Sequence, residues 1–91
     1  MPEVELNLDW PDGTITRLYS PSTVILEHLA PGQVVSVQEL RARGSLALRL
    51  ASERVRARYG FACTRADEEE QRLLTRAARF GDGEQVVIHT A

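Results

Sequence analysis

From Glu3 to Trp10, apolar and polar positions alternate: Val4, Leu6, Leu8 and Trp10 fall on one side, Glu3, Glu5, Asn7 and Asp9 on the other. A period of two is that of a strand with one dry face and one wet face. Pro11-Asp12-Gly13 interrupts it with what a hairpin turn needs: a fixed φ, a side chain that bonds the turn, and a residue at ease with positive φ. Thr14 to Ser20 then returns as a second strand; Leu18 and Tyr19 are adjacent, so alternation lets only one of them point inward. Pro21 ends the hairpin. Ser22 or Thr23 can cap a short helical turn carrying Val24, Ile25 and Leu29, which Pro31-Gly32 stops. Val34 and Val35 read as a brief extended segment.

The period then changes to that of a helix. Ser36-Val37-Gln38-Glu39 has the form of a capping box, in which the Ser oxygen takes the Glu39 N–H and the Glu side chain reaches back. The spacing predicts a helix to about Tyr59, with Val37, Leu40, Gly44, Ala47, Leu48, Ala51 and Val55 on one stripe, widened by Leu46 and Leu50. Gly44 costs such a helix about 1 kcal/mol relative to Ala. It is read as a close-packing point against the sheet, with a kink as the alternative. Gly60 ends the helix in the left-handed conformation, and Phe61 is expected to pack back over the last turn. A second helix starts near Thr64. Asp67 to Glu70 place four acids where the N-terminal dipole favours them, and Arg72, Arg76 and Arg79 sit toward its other end. Its inner face is expected to be Leu73, Leu74, Ala77, Ala78 and Phe80. Gly81-Asp82-Gly83 breaks it, and Glu84 to Thr90 is a last strand.

These elements predict one α+β domain over residues 1–91. Its three-stranded antiparallel sheet, the N-terminal hairpin plus the C-terminal strand, is covered on one face by two helices and a short helical turn. Three strands leave two edges, and Val86–Ile88 on an edge offers a self-pairing surface, an argument for a homodimer.

Composition changes this picture little. The chain has 91 residues, 43% hydrophobic and 26% charged, with a net charge of −2. That fits one folded domain and exerts no global pull toward nucleic acid or anionic lipid. All eleven basic residues are Arg, a mark of GC-rich coding or of selection for bidentate anion contacts. With a single cysteine, Cys63, and no apolar leader after Met1, the expected location is the cytoplasm. No stretch is apolar for long enough to span a membrane.

Candidate chemistry is sparse. Arg54 and Arg58 lie four apart on one helix face and could hold a phosphate or carboxylate between two guanidinium forks, or could serve only the helix C-terminal dipole. Arg49 and Glu53 share a face in the same way. Cys63 precedes a helix start and lies near Arg65, which describes either a reactive thiol or a small buried residue. His28, His89 and Cys63 lack the paired spacing of a metal site, so no metal and no cofactor are expected. The glycines form no phosphate loop, and no Ser stands in a nucleophile turn. A helix-turn-helix DNA reader is disfavoured by the acidic start of the second helix.

Two stretches, Tyr19-Ser20-Pro21-Ser22-Thr23-Val24-Ile25 and Ala51-Ser52-Glu53-Arg54-Val55-Arg56-Ala57-Arg58-Tyr59-Gly60-Phe61 running to Cys63, are distinctive. With the hairpin that ends in Trp10-Pro11-Asp12-Gly13, they resemble a bacterial family of similar length described as nitrogen-starvation-response proteins. The resemblance covers nearly the whole chain. It implies genes set beside those of a nitrilase, a radical-SAM protein, an acetyltransferase-like protein and a flavin oxidoreductase, and a link to the use of nitriles or cyanide. It supplies no catalytic residues. Arg54, Arg58, Tyr59 and Cys63 lie in the second stretch and are therefore the candidate ligand- or partner-binding residues.

Three functions remain in view. The first is a non-enzymatic accessory or interaction module that works with another protein of that gene cluster. It is favoured because a chain this small is expected to lack a deep pocket and has no acid–base or nucleophile constellation. The second is a small anionic-ligand sensor using the Arg-rich helix face. The third is a thiol-dependent enzyme using Cys63.

Overall fold

A computed structural model describes residues 3–60 and 64–90. In chain order the elements are strands β1 (Val4–Asp9) and β2 (Ile15–Ser20), a 3-10 helix (Thr23–Glu27), strand β3 (Val34–Ser36), helices α1 (Val37–Tyr59) and α2 (Thr64–Ala77), and strand β4 (Gln85–Thr90). The hairpin closes as its residues dictate. Gly13 takes φ 86°. The Trp10 N–H donates to the Thr14 carbonyl at 2.9 Å, and Asp12 Oδ1 accepts from the Thr14 N–H at 3.0 Å and from its hydroxyl at 2.6 Å.

The sheet has four strands, not three, in the order β2-β1-β4-β3, and every pairing is antiparallel. The added strand is the short Val34–Ser36 segment. Its ladder is extended by the Ile88 N–H donating to Gln33 at 2.9 Å, the Gly32 N–H donating to Ile88 at 2.7 Å and the Val37 N–H donating to Glu84 at 2.8 Å. These bonds pair one side of a short edge strand whose central residue, Val35, is buried. β4 therefore has a neighbour on each side, and the edge expected at Val86–Ile88 is occupied; the free edges belong to β2 and β3.

Leu6, Leu8, Leu18, Val35, Val86 and Ile88 point from one face of the sheet into the core and meet Val37, Leu40, Ala47, Leu48 and Leu73 from the helices. The 3-10 helix adds Ile25, and Leu29 follows it. Burial of each such leucine or isoleucine stabilises the fold by about 1.5–3 kcal/mol. The adjacent pair in β2 resolves by register. Leu18 pairs with Leu6 on the core face, while Tyr19, opposite Glu5, is covered by the Arg65 guanidinium lying 3.6 Å from its ring centroid.

α1 runs unbroken as its stripe predicts. The Ser36 hydroxyl accepts from the Glu39 N–H at 3.0 Å, although the Glu39 carboxylate meets the Ser36 hydroxyl and Arg43. At the other end Gly60 has φ 82° and its N–H donates to Arg56 at 2.8 Å. Gly44 is a close-packing point, but against α2 and not the sheet: a Cβ there would run into Leu73 Cδ2. Val55 is only half-buried, and Leu46 and Leu50 are exposed rather than part of the core.

α2 buries more than its leucines. Ala66, Glu69, Glu70, Leu73 and Ala77 face inward, because three- and four-residue steps share one helix face. Two of the four acids expected to serve only the dipole are thus drawn inside. Glu70 accepts from Arg49 Nε at 3.0 Å, which ties α2 to α1 and makes Glu70 the partner of Arg49 in place of Glu53. Leu74 is half-buried, Ala78 is exposed, and Phe80 stacks on Trp10 with ring centroids 5.4 Å apart. The first distinctive stretch is structural: the Ser20 hydroxyl donates to the Ser22 carbonyl at 2.7 Å, and Ser22 caps the 3-10 helix by accepting from the Val24 N–H. The expected packing of Phe61 and the setting of Cys63 lie outside the described residues.

Candidate anion-binding cleft

Arg72, Arg76 and Arg79 follow one another at steps of four and three, so they line one side of α2 and the turn that continues it. That side stands opposite β2. Along β2 the pairing alternates. Trp10 and Thr14 form a hydrogen-bonded pair, so Leu8–Thr16 and Leu6–Leu18 do too, while the main-chain groups of Ile15, Arg17 and Tyr19 turn to the open edge. Between this edge and α2 lies a cavity of about 370 Å³. It is at the small end of small-molecule sites, which run from about 300 to 1,000 Å³.

Behind the cleft lie Leu8, Trp10, Leu18 and Leu73, core residues that leave only 1–3% of their surface exposed. Trp10 is fixed by its stack on Phe80 and by its indole N–H, which donates to Thr16 Oγ1 at 2.7 Å. The rim is cationic: Arg17, Arg72, Arg76 and Arg79 line it with Gln71 and Thr75, against a single acid, Glu69. Two of the four guanidiniums are engaged. Arg17 meets Glu5 at 3.5 Å and Arg72 meets Glu69 at 3.5 Å. Arg76 and Arg79 have no ion-pair partner within 4 Å among the described residues.

Two carboxylates report on this field. Burial pushes the Glu69 pKa up, opposed by the charges of Arg72 and Arg65 and by a hydrogen bond from the Tyr19 backbone. Asp12, in the hairpin turn, is held below the usual carboxylate range, chiefly by its hydrogen bonds from Thr14 and in small part by Arg76. The rim thus sets four guanidiniums, two of them ion-paired, and one carboxylate around a single opening.

The residues singled out in the sequence stand elsewhere. Arg54 reaches Glu27 at 3.9 Å, Arg58 lies 5.8 Å from the Tyr59 ring centroid, and Tyr59 is exposed on the last turn of α1. None of the three lines the cleft, and Cys63 is outside the described residues. The arginines of α2 were visible in the sequence at helical spacing; what the spacing could not show is the strand edge that faces them. Among the described residues, no group of three His, Cys, Asp or Glu side chains could hold a metal, and no helix is long and apolar enough to cross a membrane.

A two-layer α+β chain with an arginine-rimmed cleft at one sheet edge is the class that fold and site define. The family model described as nitrogen starvation-induced protein NitG matches residues 5–91, and the chain belongs to that family. No curated protein and no solved structure matches it.

Proposed function

We propose that this NitG-family chain is a non-enzymatic accessory protein of the nitrogen-starvation response that binds an anionic ligand in the α2–β2 cleft and acts with another protein of its gene cluster. The observation that carries the reading is the pair Arg76 and Arg79, without an ion-pair partner among the described residues at the rim of the cleft. Leaving two guanidiniums unpaired at the mouth of a cavity does nothing for packing, whereas an anion seated there makes charge-assisted hydrogen bonds. The lining offers no nucleophile beside a base: its acid, Glu69, is held by Arg72, and its hydroxyls are those of Thr16 and Thr75.

Thermal unfolding with and without carboxylates and inorganic phosphate tests this. A ligand present at ten times its dissociation constant stabilises by about 1.4 kcal/mol, which shifts Tm by roughly 6–10 °C in a chain of this size. The double variant Arg76→Ala/Arg79→Ala should lose that shift while its ligand-free Tm stays within a few degrees. A response of the same size in the double variant would remove the proposal.

A further inference from the structure

Resting on that reading, the geometry points to the seat and the class of the ligand: a small hydrophilic carboxylate that accepts from the Arg17 main-chain N–H on the open edge of β2 and from Arg76 and Arg79 across the cleft. The chain carries the same arrangement one step away. The buried carboxylate of Glu69 accepts from the Tyr19 main-chain N–H and stands 3.5 Å from the Arg72 guanidinium. A carboxylate thus already bridges an outward amide of β2 and a guanidinium of α2.

α2 runs antiparallel to β2. Arg65 near its start covers the Tyr19 ring, while Phe80 beyond its end stacks on Trp10, whose indole bonds Thr16. Two residues back along β2, from Tyr19 to Arg17, span about 6.7 Å. Four residues on along α2, from Arg72 to Arg76, span about 6 Å. The pairing of amide and guanidinium therefore recurs at Arg17 and Arg76, both of which line the cavity. The acid does not recur: four residues after Glu69 stands Leu73, buried in the core. No described side chain accepts from the Arg17 N–H. The second seat has its donors and lacks its carboxylate. A planar carboxylate meets the amide with one oxygen and the guanidinium forks with the other. Because Leu8, Trp10, Leu18 and Leu73 are already covered, a hydrocarbon body gains nothing in the cleft, and the ligand is polar throughout.

The experiment titrates the nitrogen-15-labelled full chain with acetate, malonate, hexanoate and sulfate and follows the Arg17 amide resonance. The Leu18 amide, which faces β1, is the internal control. Proline is tolerated on an edge strand where its missing N–H faces away from the ladder. Arg17→Pro therefore deletes the donor, and Arg17→Ala, which keeps the amide, is its reference. Acetate and malonate should move the Arg17 amide and leave that of Leu18 in place. Hexanoate should bind no tighter than acetate by more than about twofold, and Arg17→Pro should bind malonate at least about tenfold more weakly than Arg17→Ala. Hexanoate far tighter than acetate, or sulfate as tight as malonate, would overturn the ligand class. An unmoved Arg17 amide in the parent chain, with Arg76→Ala/Arg79→Ala still abolishing binding, would overturn the edge seat and leave the anion site standing. No binding of any of these anions would remove the seat and the function built on the cleft together.

Discussion

The chain carries two rows of arginine at helical spacing, and they have different fates. Arg54 and Arg58 share a face near the end of α1, where the helix has left the core and its residues are mostly exposed. Arg72 and Arg76 on α2, and Arg79 in the turn that continues it, are set against the open edge of β2. The first row has only loose local contacts, Arg54 with Glu27 at 3.9 Å and Arg58 with the ring of Tyr59 at 5.8 Å. The second row surrounds a cavity and keeps two of its charges unspent. Spacing on a helix makes a row of charges; a second wall turns that row into the rim of a cleft.

The difference can be broken most severely by moving the wall. α2 stands where it does because Gly44 lets Leu73 lie directly on the α1 backbone. Gly44→Leu should cost about 3 kcal/mol by overpacking, lower Tm by more than 10 °C in thermal denaturation, and spoil the cleft. Gly44→Ala should cost much less, because the end of the Leu73 side chain can turn aside and the helix gains about 1 kcal/mol of propensity. A Gly44→Leu chain as stable as the parent would mean that α2 is not held in this way. The arginine rows themselves give the next contrast. Arg54→Ala/Arg58→Ala should change stability by no more than about 0.5 kcal/mol, as exposed ion pairs do, and should leave any anion response intact. Loss of the response in that variant would move the site to α1. The smallest effect is expected at Glu69. Because burial raises its pKa in the folded chain, the folded state holds the proton more tightly than the unfolded one. Stability should therefore fall as pH rises from the ordinary glutamate range through the folded value. Glu69→Gln keeps an acceptor for the Tyr19 backbone and should flatten that fall in chemical denaturation from pH about 4 to about 7. An unflattened curve would show that Glu69 is not the group responsible.

Much of the fold could be read from the chain because local chemistry and long-range packing agree there. The alternation of β1, the Pro-Asp-Gly turn, the Ser36 cap and the Gly60 stop each fix a boundary by a short-range effect, and the stripe from Val37 to Ala51 fixes which side of α1 is dry. Other features depend on distant partners. Val34–Ser36 is three residues long and becomes a strand only because β4 offers it a ladder. Leu46 and Leu50 are as apolar as Leu48, but they lie off the stripe and stay exposed. Glu69 and Glu70 look like part of a solvated acidic run, yet their phase matches that of Ala66 and Leu73; the helical period could have revealed their inward placement. The cleft could not be read in this way, since its two walls are more than fifty residues apart in sequence. The family resemblance pointed to stretches that are distinctive. In the first of them, Ser20 and Ser22 bond the turn that leads from β2 into the 3-10 helix.

The open edge of β2 also bears on how the protein behaves in a crowded solution. A strand with unanswered amides invites a neighbour to dock and propagate as cross-β stacks. Here the Tyr19 amide is answered by the carboxylate of Glu69, and the next outward-facing position is Arg17, a bulky exposed charge. An incoming strand would have to strip that carboxylate away and bury a guanidinium. Side chains that frame the cleft thus also block strand addition at the β2 edge.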